Sequence, residues 1–216
     1  MPMNGVGSSA LIPRAMRDVV AEAMESARVV ALLGPRQAGK STLVEALAAE
    51  HMESRYLTFD DEGVRSFASS DPVGFIAGQA LPTAIDEIQR APEVLQAIKL
   101  RVDRDDEPGQ FLITGSANLR RIPTVADALP GRVDYLTLWP LTQAEIEEVK
   151  PSFLSTTFAG RPPQLSKAPV GRDAYVDRLL TGGYPEARRR GATSRTRFFS
   201  GYVDSIVERD AVETSR

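Results

Sequence analysis

The chain has 216 residues, with 26 Lys and Arg against 29 Asp and Glu, one His and no Cys. The length predicts one main domain with an appendage, and a hydrophobic content of 42% suits a buried core, which excludes a disordered or collagen-like protein. Without Cys there is no disulfide, thiolate zinc site or cysteine nucleophile, and a net charge of -3 argues against a surface that binds nucleic acid throughout.

Apolar residues alternate along the chain between the spacing of helices and that of strands. A helix over 13–26 precedes a β-branched strand over 28–33, whose continuous apolar run indicates burial on both faces. The elements that follow are a helix over 40–50, a strand over 55–59, a helical stretch over 62–79 broken at Asp71-Pro72, a strand over 83–85, a helix over 93–102, a strand over 111–114, a helix over 124–129 and a strand over 133–138. This alternation predicts an α/β fold with a parallel sheet covered by helices.

The composition changes after the last of these strands. Residues 150–171 are rich in Pro, Gly, Ser and Thr, which indicates a linker or mobile loop. Helical patterns over 173–180 and 194–212 follow it. We therefore divide the chain into a core over 1–150, a linker over 151–171 and a helical appendage over 172–216.

The strongest functional motif is GPRQAGKS at 34–41, which has the form G-x-x-x-x-G-K-[ST] and lies between a strand and a helix. In such a loop, backbone N–H groups converge on phosphate oxygens and the helix N-terminus adds a positive end. Lys40 would bridge the β- and γ-phosphates, Ser41 would bind Mg²⁺ and Thr42 could reach the α-phosphate. The residues expected at the phosphates are Gly34, Pro35, Arg36, Gln37, Ala38, Gly39, Lys40, Ser41 and Thr42. The alternative is a strand–helix turn with an exposed lysine, and for Arg36 and Gln37 solvent exposure is favoured over phosphate contact.

Asp86 and Glu87 follow the strand over 83–85. In P-loop ATPases an Asp at this place holds Mg²⁺, usually through water, and an adjacent Glu polarises the attacking water. A helix cap or a solvated acidic pair is the alternative. The upstream motif favours the first interpretation, with Asp86 and Ser41 at the metal and Glu87 and Lys40 as catalytic residues.

Two further segments carry candidate catalytic residues. The strand over 111–114 opens into GSAN at the edge where parallel sheets bind ligands, so Ser116 or Asn118 could hydrogen-bond the γ-phosphate or the attacking water. Arg132 could act as an arginine finger in a neighbouring subunit, which requires a homo-oligomer. A polar turn and a structural ion pair are the respective alternatives.

Several segments together resemble a known protein family. GPRQAGKST, IDEIQRAPEVLQAIK, GQFLITGSANL, LPGRVDYLTLWPLTQAEI and TGGYPEARRR are similar to segments of prokaryotic AAA-type P-loop ATPases, which have an N-terminal ATPase core and a C-terminal domain of unknown function. The resemblance implies an AAA-like strand order, ATP and Mg²⁺ as ligands, Asp86 and Glu87 as the Walker B pair, and Asn118 or Ser116 as the sensor. It also implies a lid at 182–185 in which Pro185 packs on the adenine.

Full members of that family continue well beyond residue 210. We therefore expect the chain to be truncated or a natural fragment, with residues 172–216 forming a lid and the start of a C-terminal domain. Related proteins are regarded as regulators, sometimes linked to toxin–antitoxin or DNA-associated systems. We accordingly expect that the missing domain could bind a protein partner or DNA.

The leading hypothesis is an ATPase module that binds ATP or ADP with Mg²⁺, hydrolyses ATP slowly and regulates an attached or partner domain. The alternative is a non-catalytic module, antitoxin-like or regulatory, in which nucleotide orders the linker and lid for a protein or DNA partner. A small-molecule kinase is disfavoured because Glu87 suits water activation and no acceptor motif is evident. A GTPase is disfavoured because the Asn-Lys-x-Asp motif is absent.

The remaining features receive simpler interpretations. The basic run with Arg188, Arg190 and Arg195, close to Phe198, is expected to be a solvated helix edge in preference to a nucleic-acid site, although Arg188 is a candidate γ-phosphate sensor. Trp139 is expected to pack in the core. The first residues lack a secretory signal, and the longest apolar run, 29–33, is far too short to cross a membrane, so we expect a cytoplasmic protein without membrane contact.

Overall fold

A computed structural model of the chain describes residues 11–53, 55–116, 129, 131–150, 153–162 and 170–214, with 209–214 as backbone only. Continuous apolar runs form the inner strands of a five-stranded, wholly parallel sheet with the order β2–β3–β4–β1–β5. The strands are β1 (Val29–Gly34), β2 (Tyr56–Thr58), β3 (Thr83–Asp86), β4 (Phe111–Ser116) and β5 (Val133–Thr137). The predicted α/β class with a parallel sheet is confirmed.

Helices cover both faces of the sheet because successive strand residues point to opposite sides. On one face, Val30 and Leu32 of β1 pack with α1 (Met16–Ser26) and α2 (Lys40–His51). On the other, Val29 and Ala31 pack in the cluster formed with α3 (Glu62–Ser70), α4 (Pro72–Ala77) and α5 (Val94–Val102). All six residues of β1 are buried, so its carboxyl end, where the phosphate motif begins, is firmly placed.

Local capping explains the break within the helical stretch over 62–79. The Asp61 carboxylate accepts hydrogen bonds from the backbone N–H groups of Gly63 and Val64, at 2.8 and 3.1 Å, and starts α3. Asp71 accepts one from Gly74 N–H at 2.9 Å and starts α4, whose first residue is a proline. The predicted break at Asp71-Pro72 is therefore confirmed.

Five helices are described after the sheet: α6 (Gln143–Ile146), α7 (Phe153–Phe158), α8 (Arg172–Thr181), α9 (Pro185–Arg188) and α10 (Ala192–Thr214). α7 is a short helix inside the segment expected to be a linker, and the division at 150 and 171 stays a prediction. The helix expected over 124–129 lies largely outside the described residues. Within the described ranges, no helix is long and apolar enough to cross a bilayer.

Candidate functional site

Two glycines shape the loop between β1 and α2. At Gly34 φ is 152°, and a Cβ there would lie 2.2 Å from the carbonyl oxygen of Leu138. Gly39 has φ 98° and is the N-cap of α2, a left-handed conformation that glycine adopts without strain. The chain can thus turn directly from the buried strand into α2, whose first N–H groups have no partner within the helix.

Lys40 is buried although it carries a charge, with only 5% of the residue exposed. Its Nζ donates hydrogen bonds to the carbonyl oxygens of Gly34 and Pro35, at 3.2 and 3.0 Å. Burial lowers the pKa of the Lys40 ammonium, and the negative charges of Glu87 and Asp86 act in the opposite direction. The ammonium is therefore held by loop carbonyls within the field of both carboxylates.

The buried carboxylate of Asp86 joins three neighbouring elements. Its Oδ1 accepts hydrogen bonds from Ser41 Oγ, at 3.1 Å, and from Thr114 Oγ1, while its Oδ2 accepts one from the Tyr56 hydroxyl at 2.9 Å. Burial, followed by the charge of Asp86 and this hydrogen bond, raises the pKa of Tyr56, so the phenol remains a donor. Sequence reasoning missed Tyr56 and Thr114, since a hydroxyl side chain in a short strand does not by itself indicate a site.

Glu87 has φ 57°, a left-handed conformation that is uncommon outside glycine. Its backbone N–H donates to Thr114 Oγ1 at 3.1 Å, and its Oε2 accepts a hydrogen bond from the side-chain amide of Gln89. Burial raises the pKa of the Glu87 carboxyl, the charge of Asp86 adds to this shift, and Lys40 opposes it. The Thr114 hydroxyl therefore contacts both acidic residues, through the side chain of Asp86 and the backbone N–H of Glu87.

Lys40, Ser41 and Glu87 border a cleft of about 900 Å³, within the size range of ligand pockets. From the loop, it is lined by Arg36, Gln37, Gly39, Lys40, Ser41 and Thr42, all of which were expected to contact phosphate. Gly34, Pro35 and Ala38 belong to the same loop but do not line the cleft. Glu87 lies on the wall, together with Asp60 and Arg90, which sequence reasoning did not select.

The segment before α1 forms a further wall that sequence reasoning missed. Leu11, Ile12 and Pro13 line the cleft, and α1 begins at Met16, three residues later than Pro13 predicted. Arg14 also lines the cleft, and its Nη1 donates to the carbonyl oxygen of Ala38 at 2.7 Å. The sequence indicates only a helix start here and carries no pattern typical of a ligand site.

The appendage supplies the last wall, through Pro185 and Arg188 among others. The turn at 182–185, called the lid turn below, packs against the segment that follows β5. There, Leu141 N–H donates to the Gly183 carbonyl at 2.8 Å, and a Cβ on Gly183 would lie 2.2 Å from the Leu141 carbonyl oxygen. The structure thus brings the turn at 182–185 close to the phosphate motif, and the role of this turn as a lid stays a prediction.

Among the described candidate residues, Asp86 and Ser116 do not line the cleft. Ser116 ends β4 and pairs with Gly34 in the parallel register, which places it beside the loop. Asn118 lies outside the described residues, so its role as a sensor stays a prediction. Trp139 is 66% exposed, and the expectation that its ring packs in the core was wrong.

Arg132 lies at the opposite edge of the sheet. Its carbonyl oxygen accepts a hydrogen bond from Val29 N–H, at the start of β1, and its guanidinium pairs with Asp103. The phosphate loop lies at the far end of β1. A finger role for Arg132 therefore requires a second subunit and stays a prediction.

Comparisons with known proteins agree with this geometry. The family described as AAA domain matches residues 26–147. Uncharacterized proteins of Mycobacterium bovis and Mycobacterium tuberculosis are each 32% identical over 194 residues, which is 88% of this chain but 38% of each relative. The chain thus spans well under half of those proteins. The fold is similar to that of a Walker-type ATPase of Pyrococcus abyssi, with a TM-score of 0.56 and 17% identity, covering 97% of this chain and 78% of that one.

Proposed function

Because the chain belongs to the family of AAA-type P-loop ATPases, we propose that it binds ATP with Mg²⁺, hydrolyses it slowly and uses the nucleotide state to regulate an attached or partner domain. The AAA-like fold itself supports nucleotide binding. The observation that carries the proposal is the hydrogen bond from Ser41 to Asp86, 3.1 Å long, which unites two motifs 45 residues apart. It lies beside the cleft that Lys40 and Glu87 line.

The phosphates of ATP would bind at the loop and the first turn of α2. Lys40 would exchange its bonds to the Gly34 and Pro35 carbonyls for bonds to phosphate oxygens, and the unpaired N–H groups of α2 would donate to the same oxygens. The base would then lie against the apolar part of the cleft, where Ile12 and Pro185 are found. Arg188, on the same wall as Pro185, would meet the phosphate chain.

Ser41 and Asp86 fit a magnesium ion because hydroxyl and carboxylate oxygens are ligands that this ion prefers. Mg²⁺ is usually bound by one or two protein groups together with phosphates and water. Ser41 and Asp86 would therefore hold the ion together with phosphate oxygens of the nucleotide. When bound, it would neutralise charge on the phosphates. Tyr56 and Thr114 would keep Asp86 oriented meanwhile.

Glu87 would orient the attacking water and accept its proton. The raised pKa makes this carboxylate a stronger base than an exposed Glu, and Thr114 holds its backbone. The side-chain amide of Gln89 would compete with the attacking water for Glu87 Oε2. Arg132 lies at the amino end of β1, whereas the site of the same chain lies at the carboxyl end. We therefore expect slow hydrolysis by a single chain and faster hydrolysis where a second subunit supplies a cation.

Two substitutions test the proposal. Lys40→Ala should weaken ATP binding strongly in calorimetric titrations, because the buried ammonium is the main cation at the loop. Glu87→Gln should retain ATP binding while phosphate release in single-turnover assays falls about 100-fold or more, since the amide cannot accept a proton. Unchanged affinity in Lys40→Ala would reject the binding site. Unchanged turnover in Glu87→Gln would reject only the role of Glu87.

The second candidate function, a non-catalytic interaction module, is favoured by one observation. The described residues of α8 and α10 expose large apolar side chains: Tyr175, Val176, Leu179, Leu180, Val203 and Val207. Exposed apolar patches mark surfaces that pack against other protein. Nucleotide-dependent protection of α8 and α10 from proteolysis, without any phosphate release, would support this function over the ATPase.

A DNA contact through the basic run receives less support. Arg190 pairs with Glu186 at 2.7 Å and stacks over Phe198, and Arg195 Nη1 donates to Thr181 Oγ1 at 2.7 Å. These guanidinium groups are engaged within the appendage. A solvated helix edge with internal pairing remains our interpretation of this run.

A further inference from the structure

Arg14 lies outside the loop motif, yet its guanidinium reaches three separate parts of the site. Nη1 donates to the Ala38 carbonyl at 2.7 Å, Nη2 to the Trp139 carbonyl at 2.5 Å, and Nε to Glu145 Oε1 at 3.1 Å. The side chains of Arg14 and Glu145 are 10% and 9% exposed. Each nitrogen of the guanidinium therefore has its own acceptor, from the loop, from the segment after β5 and from α6.

Glu145 is itself fixed, so it holds Arg14 in one place. Its Oε1 accepts a hydrogen bond from Ala15 N–H at 3.0 Å, and its Oε2 accepts one from Thr142 N–H at 2.8 Å in a capping box. Burial alone would raise the pKa of Glu145, but these N–H groups and the Arg14 guanidinium together lower it. The pair is therefore a charged and fully hydrogen-bonded anchor next to the loop.

The contact with Ala38 determines where the next N–H group points. A trans peptide unit is planar, and its C=O and N–H point in opposite directions. A donor held at the Ala38 carbonyl therefore fixes the N–H of Gly39 on the far side of that peptide. Phosphate-binding loops work through such N–H groups. Glycine has little preference of its own at φ 98°, so this peptide needs an outside contact to keep one orientation.

We propose that Arg14 is a positioning residue for the phosphate-binding loop, holding the Ala38–Gly39 peptide so that the Gly39 N–H faces the phosphate chain. This rests on the proposed nucleotide site and adds to it a residue that the loop motif does not contain. Lys40 also bonds loop carbonyls, but it must release them to meet phosphate, whereas Arg14 can stay in place. Arg14 also donates to the Trp139 carbonyl, two residues before Leu141, which is hydrogen-bonded to Gly183 in the lid turn. Arg14 therefore connects the loop with the segment that contacts the lid turn.

The test measures binding of tripolyphosphate without Mg²⁺, a probe that has no base and therefore reports on the phosphate end of the cleft. Calorimetric titrations compare the full chain with Arg14→Lys, Arg14→Gln and a matched control, Arg178→Gln. Lysine keeps a charge facing Glu145, but its single nitrogen cannot span three acceptors. Arg178 pairs with Glu147 at 2.6 Å, just after α6, and is not among the residues that line the cleft. We expect affinity about tenfold weaker in Arg14→Lys, weaker still in Arg14→Gln, and within about twofold of wild type in Arg178→Gln.

The possible outcomes are distinguishable. Folded Arg14 variants that bind tripolyphosphate like wild type would overturn the positioning role, and a lower melting temperature alone would point to a merely structural role and overturn it as well. Both results leave the nucleotide site standing if Lys40→Ala still loses binding. A folded wild-type chain that ignores both ATP and tripolyphosphate would instead reject the proposed function. If Arg14→Gln fails to fold, Arg14→Lys decides the question, because it keeps the charge opposite Glu145.

Discussion

Gly183→Ala should detach the lid turn from the core. The new Cβ would lie 2.2 Å from the Leu141 carbonyl oxygen, 1.2 Å inside the ordinary contact limit of 3.4 Å, and both groups are backbone. Relieving that overlap costs about 1–3 kcal/mol, and loss of the hydrogen bond from Leu141 to Gly183 adds about 0.5–1.5 kcal/mol. The free energy that holds the lid turn against the core should therefore fall by about 2–4 kcal/mol. This is enough to free Pro185 from the cleft wall and weaken ATP binding about tenfold.

The matched control for this variant is Gly201→Ala, a change of the same size in the exposed middle of α10. A Cβ there meets nothing within 4 Å, so the variant should be more stable by about 0.5–1 kcal/mol. Urea unfolding measures both changes, and limited proteolysis around residues 182–192 reports the release of the turn. If Gly183→Ala keeps wild-type proteolysis, stability and ATP affinity, the close contact between Gly183 and Leu141 does not exist in solution.

Three other predictions concern the acidic pair and one helix cap. Phosphate release should be lost as pH falls through the raised pKa of Glu87, at a higher pH than for an ordinary carboxylate, because only the ionised form accepts a proton; a profile flat down to pH ~4 would contradict this. Tyr56→Phe should lower the free energy of unfolding by about 1–3 kcal/mol, since Asp86 loses a buried donor; unchanged urea unfolding would show that water replaces the phenol. Asp61→Ala should cost about 1 kcal/mol through the lost cap of α3, measured in the same way, and no change would mean that α3 starts elsewhere.

Features that depend on local patterns could be predicted from the sequence. The apolar run before Gly34 predicts a buried strand, and Asp71 followed by Pro72 predicts a helix boundary, because burial and capping act within a few residues. Ser41 and Asp86 were expected to share a metal ion, and the structure places them in hydrogen-bond contact. The motif spacing carries that information because parallel strands end at one edge of the sheet.

Features that depend on tertiary neighbours could not be predicted. Thr114 and Tyr56 lie in short strands, and they become partners of Asp86 only because β2, β3 and β4 are adjacent. Arg14 reaches acceptors 24, 125 and 131 residues away, so no local pattern reveals it. Trp139 was assigned to the core from its hydrophobicity, whereas the site uses its backbone carbonyl and leaves most of the ring in solvent.

The cleft extends beyond the stretch that defines the family. That stretch covers residues 26–147, yet the walls include Leu11 and Ile12 before it and Pro185 after it. The stretch 26–147 contains the phosphate loop itself, but it contains neither Arg14, which we propose to position that loop, nor the apolar walls proposed for the base. If the proposed function holds, the residues on either side of 26–147 would therefore set both the affinity of the loop for phosphate and the selectivity for the base.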